Sequence, residues 1–264
     1  MLLLALTVLV VVAGAACALP RAVVFPVPPV VREPGLSPGS RRHVVRLADG
    51  AEVPALSWPA PEGAPTLVYY HGNGEQLADL VPLGELFHGA GVGFFTAEYP
   101  GYALARGAGG PSEARLYEGA EAALGFLRER LGVPEARTVL VGHSLGSGVA
   151  TEMAARGRGG RLVLLSPFTS IGDMAEHLVP WLPGRHLIRD RFESLSKAGR
   201  VRVPVLVVHG EGDAIVPVEM GRRLGAAFAR GRFVGVRAAG HNDLFSEHRA
   251  AVVPLVAAFA RGEG

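Results

Sequence analysis

The chain has 264 residues, a formal charge of +2, 49% hydrophobic residues and a single cysteine, Cys17. That length suits one α/β domain with a large core, and one cysteine says nothing of a disulfide framework but excludes any cysteine-rich metal site. Lys197 is the only lysine among 26 scattered basic residues, so no polybasic tract marks a nucleic-acid site.

Residues 2–19 form an uncharged run, followed by Pro20 and Arg21, about long enough to cross a hydrocarbon core as a helix. Residues 1–20 therefore read as a membrane anchor or a signal segment, and the protein as membrane-associated. Ala16-Cys17-Ala18 has the small-residue pattern of a cleavage site, and Cys17 suggests lipid attachment. Arg21, Arg32, Arg41 and Arg42 instead favour retention of the downstream domain in the cytoplasm, so the membrane side stays open. Residues 21–40 are proline-rich and predict an extended tether, which leaves 41–264 as the globular domain.

Alternating apolar residues over 43–47 and 52–58, around Ala48-Asp49-Gly50, predict an antiparallel hairpin. From Thr66 onward the pattern becomes strand, helix, strand, helix. Strands are expected at 66–70, 93–98, 138–141, 162–165, 205–208 and 232–236, each followed by a helix. Buried strands alternating with helices indicate an α/β fold with a mostly parallel eight-stranded sheet covered on both faces. In such sheets ligands bind beyond the carboxyl ends of the strands. Prolines among apolar residues over about 167–198, including Met174 and Trp181, break the rhythm. They predict a short cap after the sixth strand, which either lines an acyl pocket or packs on the core.

The run Val139-Leu140-Val141-Gly142-His143-Ser144-Leu145-Gly146 places a G-x-S-x-G pentapeptide between an apolar strand and a helix of small residues. That is the setting of a nucleophile elbow, where a strained turn presents a serine oxygen. Asp213 follows the strand at 205–208 on a glycine-rich loop, and His241 follows the last strand. The order Ser144, Asp213, His241 is that of an α/β-hydrolase triad. A serine hydroxyl needs a base to take its proton. His241 is the candidate base, and Asp213 the residue that sets its tautomer. The developing oxyanion needs donors, for which the Leu145 amide and the Asn73 amide in His71-Gly72-Asn73-Gly74 are the candidates. Glu211 and Asp243 are rival acids, with Asp243 a possible support for the histidine loop. His143 is expected to pack away from the nucleophile, and His71 and His209 to orient loops. Tyr102 and Phe168 are candidate walls of the substrate pocket, with core packing the competing role.

These residues resemble a branch of the α/β-hydrolase superfamily: small membrane-tethered serine hydrolases that include protein depalmitoylases and related uncharacterised bacterial hydrolases. The resemblance runs from about Arg21 to the C-terminus. It is carried by Val24-Phe25-Pro26, His71-Gly72-Asn73-Gly74, Tyr99-Pro100-Gly101-Tyr102, Gly142-His143-Ser144-Leu145-Gly146, Ser166-Pro167-Phe168-Thr169-Ser170, Asp190-Arg191-Phe192, His209-Gly210-Glu211-Gly212-Asp213 and Gly240-His241-Asn242-Asp243. Within it, Ile215-Val216-Pro217 matches the acid loop and favours Asp213 over its rivals. The chain departs from the usual pattern at Glu98, where aspartate is common, and at Ala103, where glycine often stands. The depalmitoylases of this branch carry a cysteine-rich N-terminus, whereas this chain has Cys17 alone.

The resemblance implies hydrolysis of a small acyl-ester, thioester or lipid-like substrate through an acyl-serine intermediate, with no metal and no cofactor. Two other functions compete. One is a serine aminopeptidase-like peptidase, for which the sequence offers no acidic cluster clearly placed to hold a substrate ammonium. The other is a non-catalytic binding protein of the same fold, against which stands the presence of all three triad residue types.

Overall fold

The computed structural model describes residues 21, 24–179, 181 and 188–263. Its strands are β1 (Arg41–Arg46), β2 (Glu52–Trp58), β3 (Thr66–Tyr70), β4 (Gly93–Ala97), β5 (Thr138–His143), β6 (Arg161–Leu165), β7 (Val205–Gly210) and β8 (Gly231–Val236). They form one eight-stranded sheet in the order β1-β2-β4-β3-β5-β6-β7-β8. β2 is antiparallel to β1 and β4, and the remaining neighbours are parallel. The expected hairpin and parallel strands are all present. β5 and β7 run two residues beyond their expected ends, which carries His143 and His209 into the sheet.

The helices are α1 (Leu77–Gly89), α2 (Glu113–Arg130), α3 (Leu145–Ala155), α4 (Ile171–Leu178), α5 (Ser194–Lys197), α6 (Val218–Ala227) and α7 (Arg249–Arg261). Local chemistry sets several of their starts. Ser112 accepts from the Arg115 amide at 3.2 Å and Ser170 from the Asp173 amide at 2.9 Å, while Gln76 and Asp79 form a capping box on α1.

Alternation along the parallel strands divides the core in two. Leu140, Leu162, Leu164, Val205 and Val207 face one side, with Leu116 and Leu127 of α2, Val149 and Met153 of α3 and Leu224 of α6. Val139, Val141, Val163, Leu165, Leu206 and Val208 face the other, with Leu80 and Phe87 of α1 and Val252 and Val256 of α7. Each such side chain contributes about 1.5–3 kcal/mol by leaving water. Strands buried on both faces are what a near-continuous Val/Leu composition encodes.

The order reverses direction at β3, which has β4 on one side and β5 on the other. Register aligns Tyr70 with Gly142 and His143 with Leu165, so the loops leaving β3, β5 and β6 emerge level at this switch point. That is where open α/β sheets bind ligands.

Two segments outside the sheet bear on that point. The excursion between β6 and β7 closes at its base, where Ile171 N donates to Arg191 O at 2.8 Å and Leu195 N to Thr169 O at 3.1 Å. Leu178 and Trp181 stand out on it at 69% and 84% exposure. Residues 180 and 182–187 of the expected cap lie outside the described residues.

Part of the stretch expected to be an extended tether, residues 24–32, lies against the domain. Val24 and Phe25 are buried, and the Phe25 ring meets Phe192 edge-on at 6.1 Å. Arg106 Nη2 donates to Pro28 O at 2.5 Å and Gln76 Nε2 to Val30 O at 3.1 Å. Prolines fix an extended backbone with free carbonyls, and these polar side chains use them. The expected anchor or signal segment, residues 1–20, lies outside the described residues. Among the described residues, no helix is long and apolar enough to cross a membrane.

Candidate active site

Ser144 sits between β5 and α3 at φ 49°, ψ −117°, a conformation that costs a non-glycine residue of order 1–3 kcal/mol. Its amide donates to Leu165 O at 3.0 Å. The flanking glycines leave no room for side chains: a Cβ on Gly142 would lie 2.3 Å from Gly146 O, and one on Gly146 would lie 1.9 Å from Tyr70 O. β3, β5 and α3 can approach this closely only with glycine at both positions.

Three side chains from three loops meet here. Ser144 Oγ lies 2.9 Å from His241 Nε2, and His241 Nδ1 lies 2.7 Å from Asp213 Oδ2. Burial opposes ionisation of Asp213, but His209, His241 and the Val216 amide together hold its carboxyl well below the usual carboxylate range. An ionised Asp213 accepts only, so Nδ1 of His241 carries the proton and Nε2 is left to accept from Ser144.

The acid is itself held in place. Its Oδ1 accepts from the amides of Ile215 and Val216 at 2.9 and 2.8 Å, and His209 Nε2 lies 3.2 Å from Oδ2 and 3.0 Å from Val216 O. The rivals are engaged elsewhere. Glu211 pairs with Arg222 at 3.5 Å, and both Asp243 oxygens accept from the Gly240 amide at 2.8 and 2.9 Å, which tightens the turn before His241.

The loop after β3 carries Asn73, the second of the expected oxyanion donors. No hydrogen bond among the described residues engages the amide of Asn73 or of Leu145. The Asn73 side chain is clamped: Nδ2 donates to Val24 O at 2.8 Å, and Oδ1 accepts from the Tyr102 hydroxyl at 3.0 Å. Gly74 N donates to Pro26 O at 3.2 Å.

Two His–Glu pairs flank this loop, the first fully buried and the second with Glu75 partly exposed. His71 Nε2 lies 3.2 Å from Glu98 Oε1 and Nδ1 lies 2.9 Å from Gly72 O. Glu98 Oε2 also accepts from Leu77 N at 3.2 Å. His143 Nδ1 lies 3.5 Å from Glu75 Oε2, and its Nε2 lies 3.2 Å from His241 O. Burial pulls the pKa of each histidine down, but the neighbouring glutamates outweigh it and raise both.

Ser144, Asp213 and His241 are thus brought together, with the loops bearing Asn73 and Leu145 beside them. Tyr102 and Phe168 are buried, the former on Asn73 and the latter against Phe192. Sequence reasoning misses Glu75, although a carboxylate directly after His71-Gly72-Asn73-Gly74 is the signal that could have found it. His143, expected only to pack, holds the backbone of the histidine loop. Asp243, Glu247 and His248 bring potential ligand atoms within 4.8 Å of one another, but Asp243 is already committed to Gly240.

A cavity of about 200 Å³ lies beside His143 and His241, lined also by Glu75, Leu83, Leu86, Leu244 and Phe245. A larger one, about 280 Å³, lies between Trp58, Pro61, Leu131 and Arg137 at the amino ends of the parallel strands, the end of the sheet away from Ser144.

A family model described as serine aminopeptidase, S33 matches residues 62–196, and one described as TAP-like protein matches residues 188–262. An uncharacterized protein of Mycobacterium tuberculosis is 35% identical over 227 residues, spanning 84% of this chain and 80% of that protein. The human alpha/beta hydrolase domain-containing protein 17B is 30% identical over 190 residues, spanning 70% of this chain and 63% of that protein. Among solved structures, an esterase of Pyrococcus furiosus shares the fold with a TM-score of 0.70 at 15% identity, over 90% of this chain and 99% of that one. With these matches, the nucleophile-elbow geometry and the sheet order in agreement, the chain belongs to the α/β-hydrolase superfamily.

Proposed function

We propose that the protein is a serine hydrolase that cleaves an acyl ester or thioester through an acyl-serine intermediate. The observation that carries this reading is the continuous line from Ser144 Oγ to His241 Nε2 at 2.9 Å and from His241 Nδ1 to Asp213 Oδ2 at 2.7 Å. In the first half-reaction, Ser144 Oγ bonds to the substrate carbonyl carbon as its proton passes to His241 Nε2. The carbonyl electron pair moves onto oxygen, which the Leu145 and Asn73 amides stabilise. Collapse breaks the bond to the alkoxide or thiolate, and the leaving group takes the proton from His241. Water, deprotonated by His241, then attacks the acyl-serine, releasing a carboxylic acid and restoring Ser144.

An apolar acyl chain suits the surroundings. The excursion after β6 exposes Leu178 and Trp181, while Phe168 at its base and Tyr102, expected as pocket walls, are buried in the core and can only back the acyl site from beneath. Residues 1–20, as an anchor, would hold this mouth near a lipid surface.

The description of the matched family model favours a second reading, a serine aminopeptidase. Such an enzyme needs a free carboxylate near the nucleophile to hold the substrate ammonium. Glu75, on the loop that bears Asn73, is a candidate, but it is engaged by the Gly72 amide and His143, which supports the ester reading. The test is a panel of p-nitrophenyl esters, acyl thioesters and aminoacyl anilides, assayed with the wild type and Ser144→Ala. Turnover of esters or thioesters that Ser144→Ala abolishes is expected. Turnover of anilides alone would assign the peptidase, and a folded protein that turns over nothing would favour a binding role.

A further inference from the structure

We propose that Glu75 and His143 form a positioning pair that locks the oxyanion loop to the histidine loop across the nucleophile. The inference rests on the serine-hydrolase reading for its kinetic consequence, but its geometry stands apart from the triad.

One oxygen of Glu75, Oε2, serves both sides. It accepts from the Gly72 amide at 2.5 Å, next to Asn73, and lies 3.5 Å from His143 Nδ1. The other ring nitrogen of His143 lies 3.2 Å from the backbone oxygen of His241, and the two imidazoles sit 5.3 Å apart. Both nitrogens of His143 therefore face acceptors, an environment met fully only when both carry protons. Burial opposes that charge, while Glu75 favours it.

The arrangement joins three moving parts of the reaction. Gly72 precedes the candidate oxyanion donor, His143 immediately precedes Ser144, and His241 is the candidate base. Asp213 orients the His241 ring from one side, and His143 fixes its backbone from another. Since neither Glu75 nor His143 needs to touch substrate, their loss should misplace groups without weakening ground-state binding.

The test uses the full chain with a p-nitrophenyl ester, normalised to sites labelled by a fluorophosphonate. Glu75→Ala is expected to lower kcat about 10- to 100-fold, with KM within about twofold of wild type. Glu75→Gln keeps an acceptor for the Gly72 amide and should recover most of the loss. His143→Ala should lose a similar factor, and the double variant should lose little more than either single one, because the two act as a unit. Unchanged kcat in Glu75→Ala, a loss confined to KM, or fully multiplicative losses would overturn the proposal. Hydrogen exchange gives a readout independent of activity: both alanine variants should speed exchange in segments 71–74 and 239–243. Unchanged exchange there would also overturn it. A wild type that neither labels nor turns over ester while the variants loosen both segments would instead fault the serine-hydrolase reading.

Discussion

The Tyr102 hydroxyl donates to Asn73 Oδ1 at 3.0 Å, so a buried side chain from the loop after β4 orients the residue whose amide is proposed to bind the oxyanion. The ring sits in the core at 0% exposure, and Tyr102→Phe would remove the bond while keeping the packing. A net hydrogen bond is worth about 0.5–1.5 kcal/mol, so kcat on an ester should fall about 3- to 10-fold. Melting should move by no more than about 3 °C. Steady-state kinetics beside calorimetry checks both, and a change in KM alone would assign Tyr102 to substrate binding.

The segment over residues 24–32 holds the same loop from outside through Val24 O, Pro26 O and Val30 O. A chain that starts at residue 33 should therefore be less stable and less active than one that starts at residue 21. Removing a buried phenylalanine side chain alone costs about 3–5 kcal/mol, and Phe25→Ala should reproduce much of the loss. Urea unfolding and kcat of the two truncations test this. Equal values would mean that the segment contributes nothing to the domain.

Space around the elbow predicts a sharp contrast between glycines. Gly146→Ala would push a methyl group to 1.9 Å from Tyr70 O, and it should abolish folding or cost more than about 4 kcal/mol. Gly125, inside α2, has open space where a Cβ would sit, with no atom within 4 Å. Gly125→Ala should be neutral or stabilising by up to about 1 kcal/mol. Soluble yield and denaturation midpoints read the difference.

Burial works against the Glu75 charge, but His143, His71 and the Gly72 amide hold its pKa at about 2, down from 4.5. A depressed folded-state pKa gives stability that is present above the unfolded value and lost as pH falls through the folded one. The stability difference between wild type and Glu75→Gln should therefore be greatest at about pH 5–6, shrink from about pH 4.5 towards pH 2 as Glu75 takes a proton, and fall again at higher pH as His143, whose pKa Glu75 raises, loses its proton. Urea unfolding across that range measures it, and a difference that stays constant to about pH 3 would show that the ionised carboxylate is not what the fold uses.

The parallel sheet is legible because strands buried on both faces leave unbroken Val/Leu runs, and the elbow because sterics require glycine on either side of Ser144. The long-range supports are not. Glu75 and Glu98 each meet a histidine through the fold, 68 residues apart for Glu75 and His143, so although the place of Glu75 after His71-Gly72-Asn73-Gly74 could have drawn notice, nothing local names the histidine that either glutamate meets. Nor does a proline-rich composition reveal whether its carbonyls stay in water or, as in residues 24–32, meet Asn73, Gly74 and Gln76. Lys197, in the sequence only the lone lysine, is buried with Nζ 2.8 Å from both Glu152 and the Tyr117 hydroxyl. Pairing a charge in this way depends on tertiary neighbours that the sequence does not place.

The measurement that bears most directly on the serine-hydrolase reading is intact-mass and peptide mapping of the full chain after reaction with a fluorophosphonate. The wild type should gain one phosphonyl group on Ser144, Ser144→Ala none, and Asp213→Asn should react about 10⁴-fold more slowly by leaving His241 in the wrong tautomer. A folded wild type that stays unmodified, or one modified at another residue with equal rate in Ser144→Ala, would contradict the assignment of Ser144 as the nucleophile.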